Sequence, residues 1–176
     1  MKNRLNKSRC YLCGAVDRVL DGGHGWRNHI TSFLQPLGVE VFNPLKKPTT
    51  AGIESIETVK YKNLLKKEKR YEELSSIMKA IRNVDLRMVD VCDFLIANID
   101  LDHYAVGTYE EIFLANRQKK PIVIHIEQGK QNAPDWLFGA IPHELIFSDW
   151  EELELYILHI NGSNSFENYN RWIFFQ

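Results

Sequence analysis

The sequence predicts an α/β fold, a single-domain, flavodoxin- or Rossmann-like three-layer sandwich built on a five-stranded parallel sheet of order 2-1-3-4-5. Two observations carry that expectation. Apolar runs of strand length, Asp93-Phe94-Leu95-Ile96-Ala97-Asn98-Ile99 and Pro121-Ile122-Val123-Ile124-His125-Ile126, flank a helical pattern that opens on Gly107-Thr108-Tyr109-Glu110-Glu111. A second strand–loop–helix–strand unit runs from Arg9 to Phe42. Strands alternating with helices join by right-handed crossovers into a sheet covered on both faces. Such sheets bind ligands at the carboxyl edge, at the switch point between strands one and three. The loop after Cys13 and the loop after Ile99 therefore face each other across one crevice.

Arg9 to Cys13 is the first strand, followed by a loop holding Gly14, Gly22, Gly23 and Gly25. Trp26, Ile30, Phe33, Leu34 and Leu37 recur at helical spacing, and Gly38 closes that helix. Val39 to Phe42 is the second strand, ended by Asn43-Pro44. Lys46 to about Gly52 reads as loop. Ile53 to Asn83 is charged and intermittently apolar, one long helix or two, and Asp85 to Val91 continues or restarts helix. The third strand is Asp93–Ile99, the next helix Thr108–Gln118, and the fourth strand Pro121–Ile126. Leu145-Ile146-Phe147 makes a short fifth strand. Ser148-Asp149-Trp150-Glu151 reads as a capping box opening the last helix. The domain is expected over 1–160, with a helical insertion at about 46–83 and a tail over 161–176 that ends in Trp172-Ile173-Phe174-Phe175.

With 176 residues, 44% of them hydrophobic, the chain can bury one substantial core. A net charge of −1 gives no general electrostatic case for nucleic acid or membrane surfaces. Lys66-Lys67-Glu68-Lys69-Arg70 reads as a solvated helix face. No stretch is apolar enough to span a bilayer, and no signal-peptide core follows the N-terminus, so a cytoplasmic protein is expected. Three cysteines make no disulfide framework. Cys10 and Cys13 form a C-x-x-C, but in a strand their side chains point to opposite faces. No metal and no cofactor is expected.

The glycine loop after the first strand matches neither G-x-G-x-x-G nor a P-loop, although it could cradle a phosphate at the start of the Trp26 helix. His24 and His29 do not share a helix face. Glu110 and Glu111 are placed in the first turn of their helix, where negative charge is favoured by about 0.3–1 kcal/mol. Asp85, Asp90 and Asp93 crowd the approach to the third strand. A helix through Asp85 projects it toward the crevice of Glu111, and two carboxylates at one site can divide the work of nucleophile and proton donor.

These residues resemble a known family. Tyr11-Leu12-Cys13-Gly14 is similar to the opening Tyr-x-x-Gly strand of the nucleoside 2-deoxyribosyltransferases and of their relatives, the nucleoside 5′-monophosphate N-glycosidases. Gly107-Thr108-x-x-Glu111-Ile112-x-x-Ala115 resembles the family's G-T-x-x-E motif, and Asp85 stands eight residues before Asp93, the family's spacing. The resemblance implies that Glu111 attacks C1′ of a deoxyribose, that Asp85 transfers a proton to and from the base, and that Tyr11 holds Glu111 by a hydrogen bond. It also implies a nucleoside or nucleotide substrate, with contacts from Gly14, Gly107 and Thr108, and a homodimer or larger homo-oligomer.

Several positions depart from the family pattern. Family enzymes acting on free nucleosides carry an aspartate where this chain has Ala105; the monophosphate hydrolases carry a serine. Ala105 thus leans toward a phosphorylated substrate or an altered activity, with Asp102 or His103 able to reach in from the same loop. Phe113 replaces a motif glycine and is expected to narrow the pocket floor. The family's asparagine from a neighbouring subunit has no convincing match near Pro134-Asp135-Trp136. Donors to a phosphate would come from the Gly22-Gly23-His24-Gly25 backbone, Arg27 and Arg18, with His24 itself a candidate contact. The competing readings are an NAD or nucleotide glycohydrolase and a non-catalytic nucleotide-binding module.

Overall fold

The computed structural model describes residues 3–17, 19–47, 54–163 and 171–172. Among them, β1 (Arg9–Gly14), β2 (Glu40–Phe42), β3 (Phe94–Ile99), β4 (Ile122–Ile126) and β5 (Ile146–Phe147) form one sheet in the order β2-β1-β3-β4-β5. Every pairing is parallel, and the sheet is the one expected from the sequence. Strands β3 and β4 are buried along their whole length, as continuous apolar runs must be when helices cover both faces.

The pleat of β1 splits its side chains between two cores. Cys10 and Leu12 lie under α1 (His24–Leu34) and α6 (Trp150–Gly162), packed with Ile30, Leu34, Leu153 and Ile157. Tyr11 and Cys13 lie on the opposite face, with Met88 and Val89 of α3 (Tyr71–Val91) and Ile112 and Ala115 of α4 (Val106–Arg117). The two cysteines of the C-x-x-C thus point to opposite sides of the sheet. A short α5 (Asp135–Ala140) adds Leu137 to the second core.

The insertion forms two helices, α2 (Ile56–Lys67) and α3, separated at Glu68–Arg70, where Lys69 adopts φ +58. α3 runs through Asp85 without interruption. The last helix is capped one residue later than the sequence suggests. Asp149, in extended conformation, accepts from the Glu152 amide at 2.8 Å, while Ser148 accepts from the Lys130 amide. Trp172 folds back on the domain, packing on Phe94 at 5.1 Å and donating to the Tyr156 hydroxyl at 2.8 Å; Ile173 to Phe175 lie outside the described residues. Among the described residues no helix is long and apolar enough to cross a membrane.

Candidate active site

Helix α4 begins at Val106, two residues before the expected start, which moves Glu110 and Glu111 out of its first turn. The macrodipole effect fades within that turn, so complementation of the helix end accounts for neither acid. Their surroundings differ completely. Glu110 is half-exposed and chelated by the Arg82 guanidinium of α3, with Nε 2.8 Å from Oε2. Glu111 points inward. Its Oε1 accepts from the Tyr11 hydroxyl at 2.9 Å and its Oε2 from the Cys13 thiol at 2.8 Å. Burial pushes the Glu111 carboxyl up to about 7, and the nearby charge of Asp85 adds to the rise; the two donors oppose it. Burial also raises the Cys13 thiol well above its ordinary value, which keeps it protonated and able to donate.

Asp85 is 7% exposed on the face of α3 that lines the same cleft. Burial raises its carboxyl, and Lys47, whose Nζ stands 2.8 Å from Oδ1, pulls it back down. The Lys47 side chain is itself fully buried and reaches Glu54 at 3.6 Å. Lys62 of α2 continues the series, 3.8 Å from Glu54 and 2.8 Å from Asp17. An alternating chain of charges therefore runs Asp85–Lys47–Glu54–Lys62–Asp17, joining α3, the loop after β2, the residue preceding the N-cap of α2, α2 itself and the loop after β1. Sequence reading missed Lys47, Glu54 and Lys62, because charges in a charged segment read as a solvated face. It also missed Cys13 as a partner of Glu111, although strand alternation puts it on the face of Tyr11.

The cleft encloses about 330 Å³, the scale of a small-molecule site. Tyr11, Gly14, Asp85, Ala105, Gly107, Thr108 and Glu111 all line it. Gly14 and Gly107 contribute differently. A Cβ on Gly14 would lie 2.7 Å from the Trp26 ring and 2.9 Å from the Asn98 carbonyl, so backbone and ring approach too closely for any side chain. A Cβ on Gly107 would meet nothing within 4 Å, so its absence leaves room in the cleft.

Other expected site residues lie elsewhere. Arg27 is fully buried behind the glycine loop and donates to the carbonyls of Gly14, Gly23 and Ala15 at 2.7, 3.0 and 3.4 Å. His24 is exposed at the start of α1, and Asp102 is exposed and accepts from Gln128; neither lines the cleft. His103 pairs with Asp100 at 2.6 Å. Phe113 packs beside Tyr109 and is absent from the cleft wall, contrary to the expectation that it narrows the floor. Arg18 lies outside the described residues. Among the described residues, no group of three or more His, Cys, Asp or Glu side chains is arranged to hold a metal ion.

A family model described as nucleoside 2-deoxyribosyltransferase matches residues 10–152. Among solved structures, a 2-deoxyribosyltransferase of Bacillus psychrosaccharolyticus is 16% identical, with a TM-score of 0.58 over 84% of this chain and 90% of that one. A CMP N-glycosidase of Clostridium botulinum is 18% identical, with a TM-score of 0.49 over 87% and 99% of the two chains. At 16% identity the likeness to the first is one of fold. No curated protein matches the chain.

Proposed function

Since the chain belongs to the nucleoside 2-deoxyribosyltransferase family, we propose that it cleaves or exchanges the N-glycosidic bond of a 2′-deoxynucleoside or its 5′-monophosphate through a glutamyl glycosyl-enzyme. Glu111 is the nucleophile. Its ionised carboxylate attacks C1′ while the C1′–N bond breaks and its electron pair goes to the base. Asp85, whose carboxyl is raised by burial and opposed by Lys47, passes a proton to the leaving base. Water then attacks C1′ of the ester and releases the sugar, or a second base does so and the sugar is transferred; in both cases Asp85 takes up the proton. An oxocarbenium-like transition state is stabilised by a carboxylate against C1′ and an acid beside the leaving group.

The observation that carries this reading is the pair of unlike carboxylates in one cleft. Glu111 is held by two neutral donors and pushed up to about 7, while Asp85 is paired with a buried lysine. Two hydrogen bonds orient the Glu111 carboxylate, which ionises near pH 7, and the Lys47 ion pair holds Asp85 as a separate group on the same cleft wall. Assembly into a homodimer or larger homo-oligomer belongs to the same proposal, and light scattering tests it.

The test of the chemistry is chromatography of 2′-deoxynucleosides and their 5′-monophosphates, with and without an acceptor base, using the wild type and Glu111→Ala. Base release or exchange that disappears in the variant is the expected result. Binding without turnover, unaffected by the substitution, would overturn the proposal in favour of a nucleotide-binding module.

A further inference from the structure

On the premise that the glycosidic-bond reading holds, the charges around the cleft bear on which substrate it admits. The described side chains lining it include five carboxylates, Asp17, Glu54, Asp85, Glu110 and Glu111, against one cation, Arg82. That cation is already chelated by Glu110. Lys47 and Lys62 stand behind the acids they neutralise, with side chains 0% and 3% exposed. The charged groups a ligand meets are thus mainly carboxylates, set in an otherwise largely apolar wall.

The loop after β1 has the same character. Its helix start would be the natural place for a phosphate. The amides of Gly23 and Gly25, however, already donate to the Asp21 carboxylate at 2.8 and 2.7 Å. Those bonds hold the Asp21 carboxyl below its usual range, so the chain's own anion occupies that position. Arg27 is turned away onto three carbonyls. On the same loop, Asp17 faces the cleft with its side chain 43% exposed, and both oxygens rest on the Lys62 ammonium at 2.8 and 2.9 Å. A carboxylate offers about four lone-pair sites, so acceptor capacity remains beyond the two bonds from Lys62.

We propose that Asp17, anchored by Lys62, is the specificity-determining residue of the cleft: it accepts a hydrogen bond from a sugar hydroxyl and excludes a 5′-phosphate. The substrate is then the unphosphorylated nucleoside, against the leaning that Ala105 alone suggests. The carboxylate is supplied from the loop after β1 in place of one at position 105. Like charges brought together inside a partly enclosed cleft are strongly disfavoured, and such repulsion is a common source of selectivity.

The experiment compares kcat/KM for 2′-deoxynucleosides and the matching 5′-monophosphates with the wild type, Asp17→Asn and Asp17→Ser. The wild type is expected to prefer the nucleosides by about 100-fold. Both variants should lose nucleoside efficiency mainly through KM. They should also gain on the monophosphates, because Lys62 loses its closest counter-ion beside the cleft; the preference then falls by about tenfold or more. Asp17→Asn keeps the shape of the side chain and so separates charge from packing, and a thermal melt verifies that each variant is folded. A wild-type preference for monophosphates, or a folded Asp17→Asn with an unchanged ratio, overturns this inference while leaving the glycosidic reading standing. Absence of base release from either substrate class by the wild type overturns the glycosidic reading itself, and this one with it.

Discussion

Replacing Glu111 by glutamine should make the protein more stable at alkaline pH while abolishing its turnover. The carboxyl is held at about 7 in the folded chain, against an ordinary value of 4.5. A carboxyl whose folded pKa is raised keeps its proton while the unfolded chain loses its own. Stability therefore falls as pH rises from about 4.5 to about 7 and levels off above that. The gap corresponds to about 3 kcal/mol of destabilisation at pH 8. Glutamine has nearly the same shape and cannot ionise, so it removes that penalty. One cost remains. The amide cannot accept from both Tyr11 and Cys13, and a buried donor left without a partner costs about 1 kcal/mol. The net gain at pH 8 is about 2 kcal/mol, or about 4–8 °C in Tm for a chain of this size.

The assay is a pair of thermal melts, wild type against Glu111→Gln, at pH 5 and at pH 8. At pH 5 the folded wild type carries the proton and the variant should be level with it or slightly less stable. The comparison cancels every other titrating group, since each variant serves as its own background. A Tm difference identical at both pH values would refute the reasoning, because it would mean that Glu111 titrates as an exposed glutamate does. In the wild type the same pKa should appear as a rise in kcat/KM toward a plateau above about pH 7, since only the ionised form attacks.

Tyr11→Phe removes one donor from Glu111 and should shift that rise to higher pH, with about a tenfold or greater loss of kcat/KM at pH 7 and little change in fold; a pH–rate profile checks it. Lys47→Met leaves Asp85 buried without its ammonium, which should cost about 3–5 kcal/mol in denaturant melts, with Lys47→Arg recovering part of the loss. In the same variant the Asp85 carboxyl moves further up, because the ammonium that lowered it is gone. Gly107→Val should leave Tm nearly unchanged and raise KM by about tenfold, because the added side chain enters empty cleft. Gly14→Ala should destabilise the fold instead, its Cβ meeting Trp26 and the Asn98 carbonyl.

The contrast between what the sequence disclosed and what it withheld follows from the range of the interactions involved. The sheet order was legible because apolar runs and helical periodicity are local patterns, and the crossover rule converts them into topology. Glu111 and Tyr11 were legible through short motifs at a strand end and a helix start. The cleft's remaining chemistry depends on pairs far apart in the chain. Lys62 meets Asp17 across 45 residues, and nothing in the local pattern of α2 marks one lysine among its neighbours as buried. Arg27 misled for the complementary reason. An arginine beside a glycine loop reads as an anion ligand, yet three carbonyls of that loop and of the end of β1 accept its hydrogen bonds.

Cys13 was within reach. Strand alternation puts positions 11 and 13 on one face, and the face chosen by Tyr11 is the one beneath α4. Two consecutive inward residues of β1 thus supply the two donors of a single carboxylate, so the geometry of the proposed nucleophile is fixed by a buried strand of the sheet. Asp85 is held in another way, by a lysine from the loop after β2 that also meets the acid preceding α2. The insertion is therefore tied to the acid rather than to the nucleophile. Loosening it should alter proton transfer to the base before it disturbs attack at C1′. Tyr11→Phe and Lys47→Met together examine that separation: the first should shift the rise of the pH–rate profile that Glu111 sets, and the second should lower kcat/KM with a smaller shift of that rise. If both substitutions shifted that rise equally, the two carboxylates would be titrating as one coupled pair, and the division of roles between them would fail.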